Sequence, residues 1–129
     1  MKLAESDVAR VFKTAWFSKA AGKAGIGDAE LCQAIAQVMR GQADDLGGGV
    51  FKKRLNRNDH RSIVLAKGGR FWVFEYLFAK KDRANIVAGE LADFRQIAKG
   101  YERLTDRQVD ELIGDRHFWE ICHAGKEQI

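Results

Sequence analysis

The segment VFKKRLNRNDHRSIVLAKGGRFWVFEYLF, Val50 to Phe78, reads as three consecutive β-strands and sets the fold class. Val50–Leu55, Ser62–Lys67 and Phe71–Phe78 are rich in β-branched, aromatic and aliphatic residues, which favour extended backbone. Lys67-Gly68-Gly69-Arg70 is a hairpin signal, because glycine supplies the left-handed angles of a tight turn. Asn56-Arg57-Asn58-Asp59-His60 reads as a second turn, since Asn and Asp tolerate the same angles. Phe71–Phe78 is apolar on both faces apart from Glu75, which marks a central strand.

Outward from this meander the period changes from two to about 3.6. Upstream, Val8–Lys13 alternates and reads as a short strand, a candidate edge strand. Ala15–Ala24 is a helix with Trp16, Phe17 and Ala20 on its apolar side, closed by Gly25 and Gly27. Asp28 is placed to cap the next helix, whose stripe is Leu31, Ala34, Ile35, Val38 and Met39. Gly41 ends that helix, and Gln42–Gly49 reads as a flexible loop. Gly47-Gly48-Gly49 is not a phosphate-binding P-loop: it lacks the following Gly-Lys-Ser/Thr and leads into a strand. Downstream, Gly89–Tyr101 is a helix with Leu91, Phe94, Ile97, Ala98 and Tyr101 on or near one face. Thr105-Asp106-Arg107-Gln108 has capping-box form, with Leu104 and Val109 as its hydrophobic staple. That helix stops at Gly114, and His117–Cys122 reads as a final short strand. The pattern is α+β, one domain over residues 1–129, with 1–7 and 124–129 expected to be flexible.

Charge is unevenly spread. Between Gly49 and Arg83 ten basic residues face three acidic ones, an excess of +7, whereas the whole chain carries only +4. Cations are thus concentrated in the sheet, the footprint of a surface that meets phosphate. By alternation Lys52 and Arg54 share a face with Val50, while Lys53 lies with Phe51 and Leu55 and must snorkel out at an edge. Antiparallel pairing through the Asn56–His60 turn brings Arg61 close to Arg54. Lys80, Lys81 and Arg83 follow the long strand and can reach the same end of the sheet. Arg offers phosphate a planar fork and Lys a mobile point charge. The competing reading is a solvated, aggregation-resistant strand surface.

Other chemistries find less support. With 46% hydrophobic residues the chain can build a real core. It has no apolar run near the ~20 residues of a membrane span and no apolar h-region after Met1. No membrane partner is expected and the cytoplasm is the expected compartment. Cys32 lies on a predicted buried helix face, and Cys32 and Cys122 read as free thiols. His60, His117, His123 and the cysteines lack metal-ligand spacing, so no metal and no other cofactor is expected. His60 is a general acid or base candidate because imidazole as a side-chain type exchanges protons near neutrality, against the plainer role of a solvated turn residue. Trp72, Phe74, Tyr76 and Phe78 fall on one strand face by alternation; core packing accounts for most of them, and Tyr76 is expected to reach the surface and stack on a base.

Leu46–Leu55, Arg61–Ala66 and Phe78–Ile86, taken in order with Phe12–Phe17 and the helix near Asp28, resemble the RelE/HigB-type toxins of bacterial toxin–antitoxin systems. The closest branch is a RelE-like one long of unknown function, and the likeness runs from about Arg10 to Leu112. The resemblance implies a RelE-like, microbial-ribonuclease-type fold: a twisted antiparallel sheet with N-terminal and C-terminal helices. It implies an mRNA endoribonuclease that enters the ribosomal A site and inhibits translation. The family's basic sites match Lys52, Arg54, Arg61 and Lys81, which become the catalytic candidates. Arg61 and Lys81 would hold the scissile phosphate; Lys52 and Arg54 would handle a proton or the leaving group. Lys53, Arg57, His60, Tyr76, Lys80 and Arg83 are candidate RNA contacts. The implied partner is a helix-turn-helix antitoxin, through which the complex would bind operator DNA. The chain departs from relatives with a tyrosine after the last basic group, having Ile86-Val87 there. It also departs from those with a C-terminal histidine, for which His117 and His123 are the candidates, and its Asn56–His60 loop is short. Two further readings stay open: a ParE-like gyrase poison on the same fold, and a catalytically weak RNA-binding or regulatory homologue.

Overall fold

The computed structural model describes residues 9–67 and 70–122. Among them six strands form one sheet: β1 (Arg10–Thr14), β2 (Asp44–Gly47), β3 (Val50–Leu55), β4 (His60–Lys67), β5 (Phe71–Ala79) and β6 (Phe118–Ile121). Four helices accompany them: α1 (Ala15–Ala24), α2 (Asp28–Met39), α3 (Ala88–Glu102) and α4 (Asp106–Gly114). The strand order is β2-β3-β4-β5-β1-β6, antiparallel except where β1 runs parallel to β5. The expected α+β fold and the β3–β4–β5 meander are present, with β5 central between β4 and β1.

Alternation buries both faces. Val11, Leu55, Val64, Ala66, Trp72, Phe74 and Ile121 meet Phe17 of α1 and Leu31, Ile35 and Val38 of α2. On the other face Phe12, Phe71, Val73 and Phe118 pack with Val109 of α4. Val50, Ile63, Leu65 and Phe78 pack there with Ala98 of α3. The Thr105–Gln108 capping box is formed in both directions. Leu104 and Val109 lie in the cluster beneath it.

Several local expectations are corrected. β1 is interior, because β6 returns from the C-terminal side to pair with its free edge. Asp28 is the first residue of α2, whose N-cap is Gly27; the Asp28 carboxylate instead pairs with Lys13 Nζ at 2.8 Å. Met39, the last residue of α2, is exposed although its neighbour Val38 is buried. Gln42–Gly49 is not a flexible loop. Asp44–Gly47 adds an edge strand to β3, and Arg95 of α3 donates to the Leu46 and Gly47 carbonyls. Gly47, Gly48 and Gly49 all have positive φ, and a Cβ on Gly48 would meet Arg95 Cγ at 2.8 Å. Asn56, Arg57 and Asn58 also take positive φ, as the turn reading requires. Gly68-Gly69, the segment 1–7 and the segment 124–129 lie outside the described residues.

The cysteines are also corrected: Cys32 and Cys122 form a disulfide across 90 residues of sequence, with Cα atoms 5.4 Å apart. Cys32 faces the sheet side of α2 and Cys122 follows directly on β6, so folding brings together two thiols that no local pattern links.

One irregularity redirects the functional surface. The β4–β5 register shifts between Ile63, opposite Tyr76, and Val64, opposite Phe74. β5 therefore carries one extra residue, Glu75, and its side-chain alternation inverts there. Trp72 and Phe74 face α1 and α2, while Tyr76 and Phe78 face α3. The four aromatics do not share a face, contrary to simple alternation.

Glu75 itself is largely buried and accepts a 2.7 Å hydrogen bond from the Tyr101 hydroxyl. Burial raises its carboxyl pKa, and the Tyr101 bond partly offsets the rise. A raised carboxyl pKa makes stability greatest below the ordinary glutamate range and lowers it as pH rises through the folded value. Tyr101→Phe removes the donor that supports the charged form. It is expected to cost about 1–3 kcal/mol, more at pH 8 than at pH 5, by urea unfolding at the two pH values. An equal loss at both would place the Glu75 carboxyl outside this linkage.

Candidate nucleic-acid interface

β3, β4 and β5 carry the basic surface in registered rows. Arg54 of β3 lies opposite Arg61 of β4, and Arg61 lies opposite Phe78 of β5. One row inward Lys52 lies opposite Ile63, and Ile63 opposite Tyr76. Alternation from the buried Val50 and Ile63 puts Lys52, Arg54 and Arg61 on the face that α3 covers farther along. Two arginines directly opposite on neighbouring strands repel each other, which destabilises a sheet unless an anion sits between them.

The partners of these side chains differ. Arg61 Nη1 donates to the carbonyls of Asn58 at 2.9 Å and His60 at 3.2 Å, so its guanidinium is held at the turn. Arg54 is exposed and has no side-chain hydrogen bond or ion pair among the described residues. Lys52 Nζ lies 3.3 Å from Asn85 Oδ1 and 3.7 Å from Asp44 Oδ2. Arg83 forms an ion pair with Glu90 and its guanidinium carbon stands 5.4 Å over the Phe78 ring. That bond raises the Arg83 pKa and lowers that of Glu90, whose carboxylate also accepts the Val87 N–H at the start of α3. Arg83 thus fixes the loop between β5 and α3, and through the Asn85 carbonyl it fixes the neighbour of Lys52.

Lys53 snorkels as expected: Nζ donates to the Gln42 carbonyl at 3.0 Å. Its pKa is lowered, first by burial and then by Arg40 and Arg54 nearby. Arg57 is exposed at the tip of the β3–β4 turn.

Lys81 lies apart from the registered rows. With Asp59, His60, Ala79 and Lys80 it lines a crevice of about 430 Å3 at the ends of β4 and β5. The His60 ring is 3.1 Å from Asn56 through Nδ1. Lys81 and His60 also border a cleft of about 590 Å3 with Tyr76, which neither Lys52, Arg54 nor Arg61 lines. The four catalytic candidates therefore form a sheet-face group of three and a strand-end group around Lys81. Tyr76, Phe78 and Arg83 lie between the two groups. Tyr76 reaches this surface because the Glu75 bulge turns it there. Ile86 packs partly buried near α3 and Val87 is 62% exposed, so no aromatic stands at that position.

The residues missed by sequence reasoning are on α1. Trp16 is 52% exposed and stacks on Tyr76 with ring centroids 5.1 Å apart, although its place in the apolar stripe pointed to the core. Lys19 and Lys23 follow it at helical spacing and line the same cleft. His117 precedes β6, its carbonyl accepting the Ala15 N–H, and His123 lies outside the described residues. Among the described residues no three His, Cys, Asp or Glu side chains are grouped to hold a metal, and no helix is long and apolar enough to cross a membrane.

No curated protein matches the chain. A family profile described as the RelE toxin of the RelE / RelB toxin-antitoxin system matches residues 9–121.

Proposed function

From the premise that the chain belongs to the RelE toxin family, we propose that it is an endoribonuclease that cuts mRNA in the ribosomal A site and so stops translation. The family makes it a toxin with a cognate antitoxin; a helix-turn-helix antitoxin that carries the pair to operator DNA, and action in the cytoplasm, belong to this proposal. The observation that carries it is the Arg54–Arg61 cross-strand pair with Lys52 one row away, a set of cations that an RNA phosphate would neutralise.

The chemistry needs no protein nucleophile. A base takes the 2′-hydroxyl proton, the 2′-oxygen bonds to phosphorus, the bond from phosphorus to the 5′-oxygen breaks, and an acid protonates that oxygen. Charge builds on the phosphorane and the leaving oxygen, where fixed guanidinium groups act most strongly. Arg61, held by its two turn carbonyls, grips the scissile phosphate together with Arg54. Lys52, tied to Asn85, stands beside the leaving oxygen. Lys81 and Lys80 hold the next phosphate, with His60 beside them as proton carrier. Arg57 contacts RNA from the tip of the β3–β4 turn, and Lys53, on the opposite face of β3, reaches it only around the strand edge beside Gln42.

Induction of the protein in cells, followed by mapping of mRNA 5′ ends, is expected to reveal new ends inside open reading frames within minutes of growth arrest. Arrest with intact transcripts rejects the proposal. Arrest with broken DNA and continuing translation replaces it with gyrase poisoning.

A further inference from the structure

We infer that α1 forms the second wall of the RNA site, with Trp16 as the surface on which an unstacked base rests and Lys19 and Lys23 as phosphate contacts.

The cleft of about 590 Å3 has two sides. β5 and its following turn supply Tyr76 and Lys81; α1 supplies Trp16, Lys19 and Lys23. These α1 positions are spaced three and four apart, so they form one row along the helix. The Lys19 and Lys23 side chains are exposed and have no ion pair or hydrogen bond among the described residues. Trp16 lies against Tyr76, with planes inclined by 22°, and keeps about half its surface open. An indole held flat by one ring, open on its other side and flanked by unpaired lysines is a platform for a nucleobase with its backbone alongside. Phe17, the next residue, is fully buried against Phe74, which anchors the helix that presents Trp16. The same wall would serve any single-stranded RNA, and a duplex, whose bases stay stacked, would not fit it.

This inference rests on the proposed ribonuclease reading but is tested without cleavage, using a 2′-O-methyl oligoribonucleotide that cannot supply the nucleophile. Trp119, exposed on β6, is replaced by Phe so that Trp16 is the exposed tryptophan reporting. Titration with the single-stranded oligomer is expected to quench its fluorescence, and a duplex of the same sequence to leave it unchanged. Trp16→Ala is expected to weaken binding about tenfold, and Trp16→Phe to restore most of it. Lys19→Gln with Lys23→Gln is expected to reduce the slope of log affinity against log salt by about 1.4. Binding with unchanged Trp16 emission and an unchanged slope overturns the inference alone. Quenching without transcript cleavage in cells leaves it standing and overturns the ribonuclease reading.

Discussion

Arg61→Ala is expected to abolish growth arrest and to slow RNA cleavage about 100- to 1,000-fold, the usual loss when one donor to a developing oxyanion is removed. The size follows from its setting. Arg61 is oriented by the Asn58 and His60 carbonyls, and it faces Arg54 across the strand pair. A guanidinium already aimed loses little freedom when phosphate arrives, so its contribution falls mainly on the transition state. Removing it also relieves the repulsion from Arg54 while losing the two turn bonds, so stability is expected to change by less than about 1 kcal/mol. Arg61→Lys keeps the charge without the fork and is expected to fall between. The Arg54 side chain has no hydrogen bond or ion pair to lose among the described residues, so Arg54→Ala separates chemistry from folding. Antitoxin binding by both variants, measured alongside transcript cleavage, checks that the fold persists. Full cleavage by Arg61→Ala and Arg54→Ala would remove the cross-strand pair from the chemistry.

Reduction of the Cys32–Cys122 bond is expected to lower the stability of the chain by several kcal/mol. The bond closes a loop across 90 residues, and loop-closure entropy at that length corresponds to about 4–5 kcal/mol, with measured cases typically about 2–4. The bond ties α2 to the end of β6, one of the two edge strands, which pairs with β1 alone. Its loss should be felt first at β6. Urea unfolding with and without dithiothreitol checks the magnitude, and amide hydrogen exchange at Phe118–Ile121 checks the location. The double variant Cys32→Ser, Cys122→Ser should match the reduced protein and ignore the reductant. Coincident unfolding curves in both conditions would mean that the bond contributes nothing. In a reducing compartment the thiol form dominates, and the same measurement gives the stability the chain would have there.

Much of the architecture was legible because it depends on short-range patterns. The meander follows from β-branched and aromatic runs separated by Asn, Asp and Gly, and β3 has the expected limits, Val50–Leu55. Two of the four helices coincide with their stripes: Ala15–Ala24 is α1 as read, and α4 ends at Gly114 as read. The approach of Arg61 to Arg54 was also legible, since a short turn between antiparallel strands leaves little choice of register; the turn is four residues, Asn56–Asp59, with His60 already paired to Leu55. What escaped was whatever depends on a partner distant in sequence. Asp44–Gly47 is polar and glycine-rich and becomes a strand only because β3 offers it an edge and Arg95 holds its carbonyls. β1 became interior only when β6 arrived from more than a hundred residues away. Arg83 looked like a free cation, yet Glu90 in the first turn of α3 takes its charge.

The amino-acid pattern by itself determined the class of the fold and the excess of cations on the meander, because strand propensity, turn chemistry and charge are properties of neighbouring residues. Only the tertiary structure decided how that charge is divided. The extra residue at Glu75 inverts β5, sends Tyr76 and Phe78 to the α3 face, and leaves Trp16 stacked at the rim of a cleft with two unpaired lysines. A bulge is a mismatch in count between two paired strands, and neither strand alone contains it.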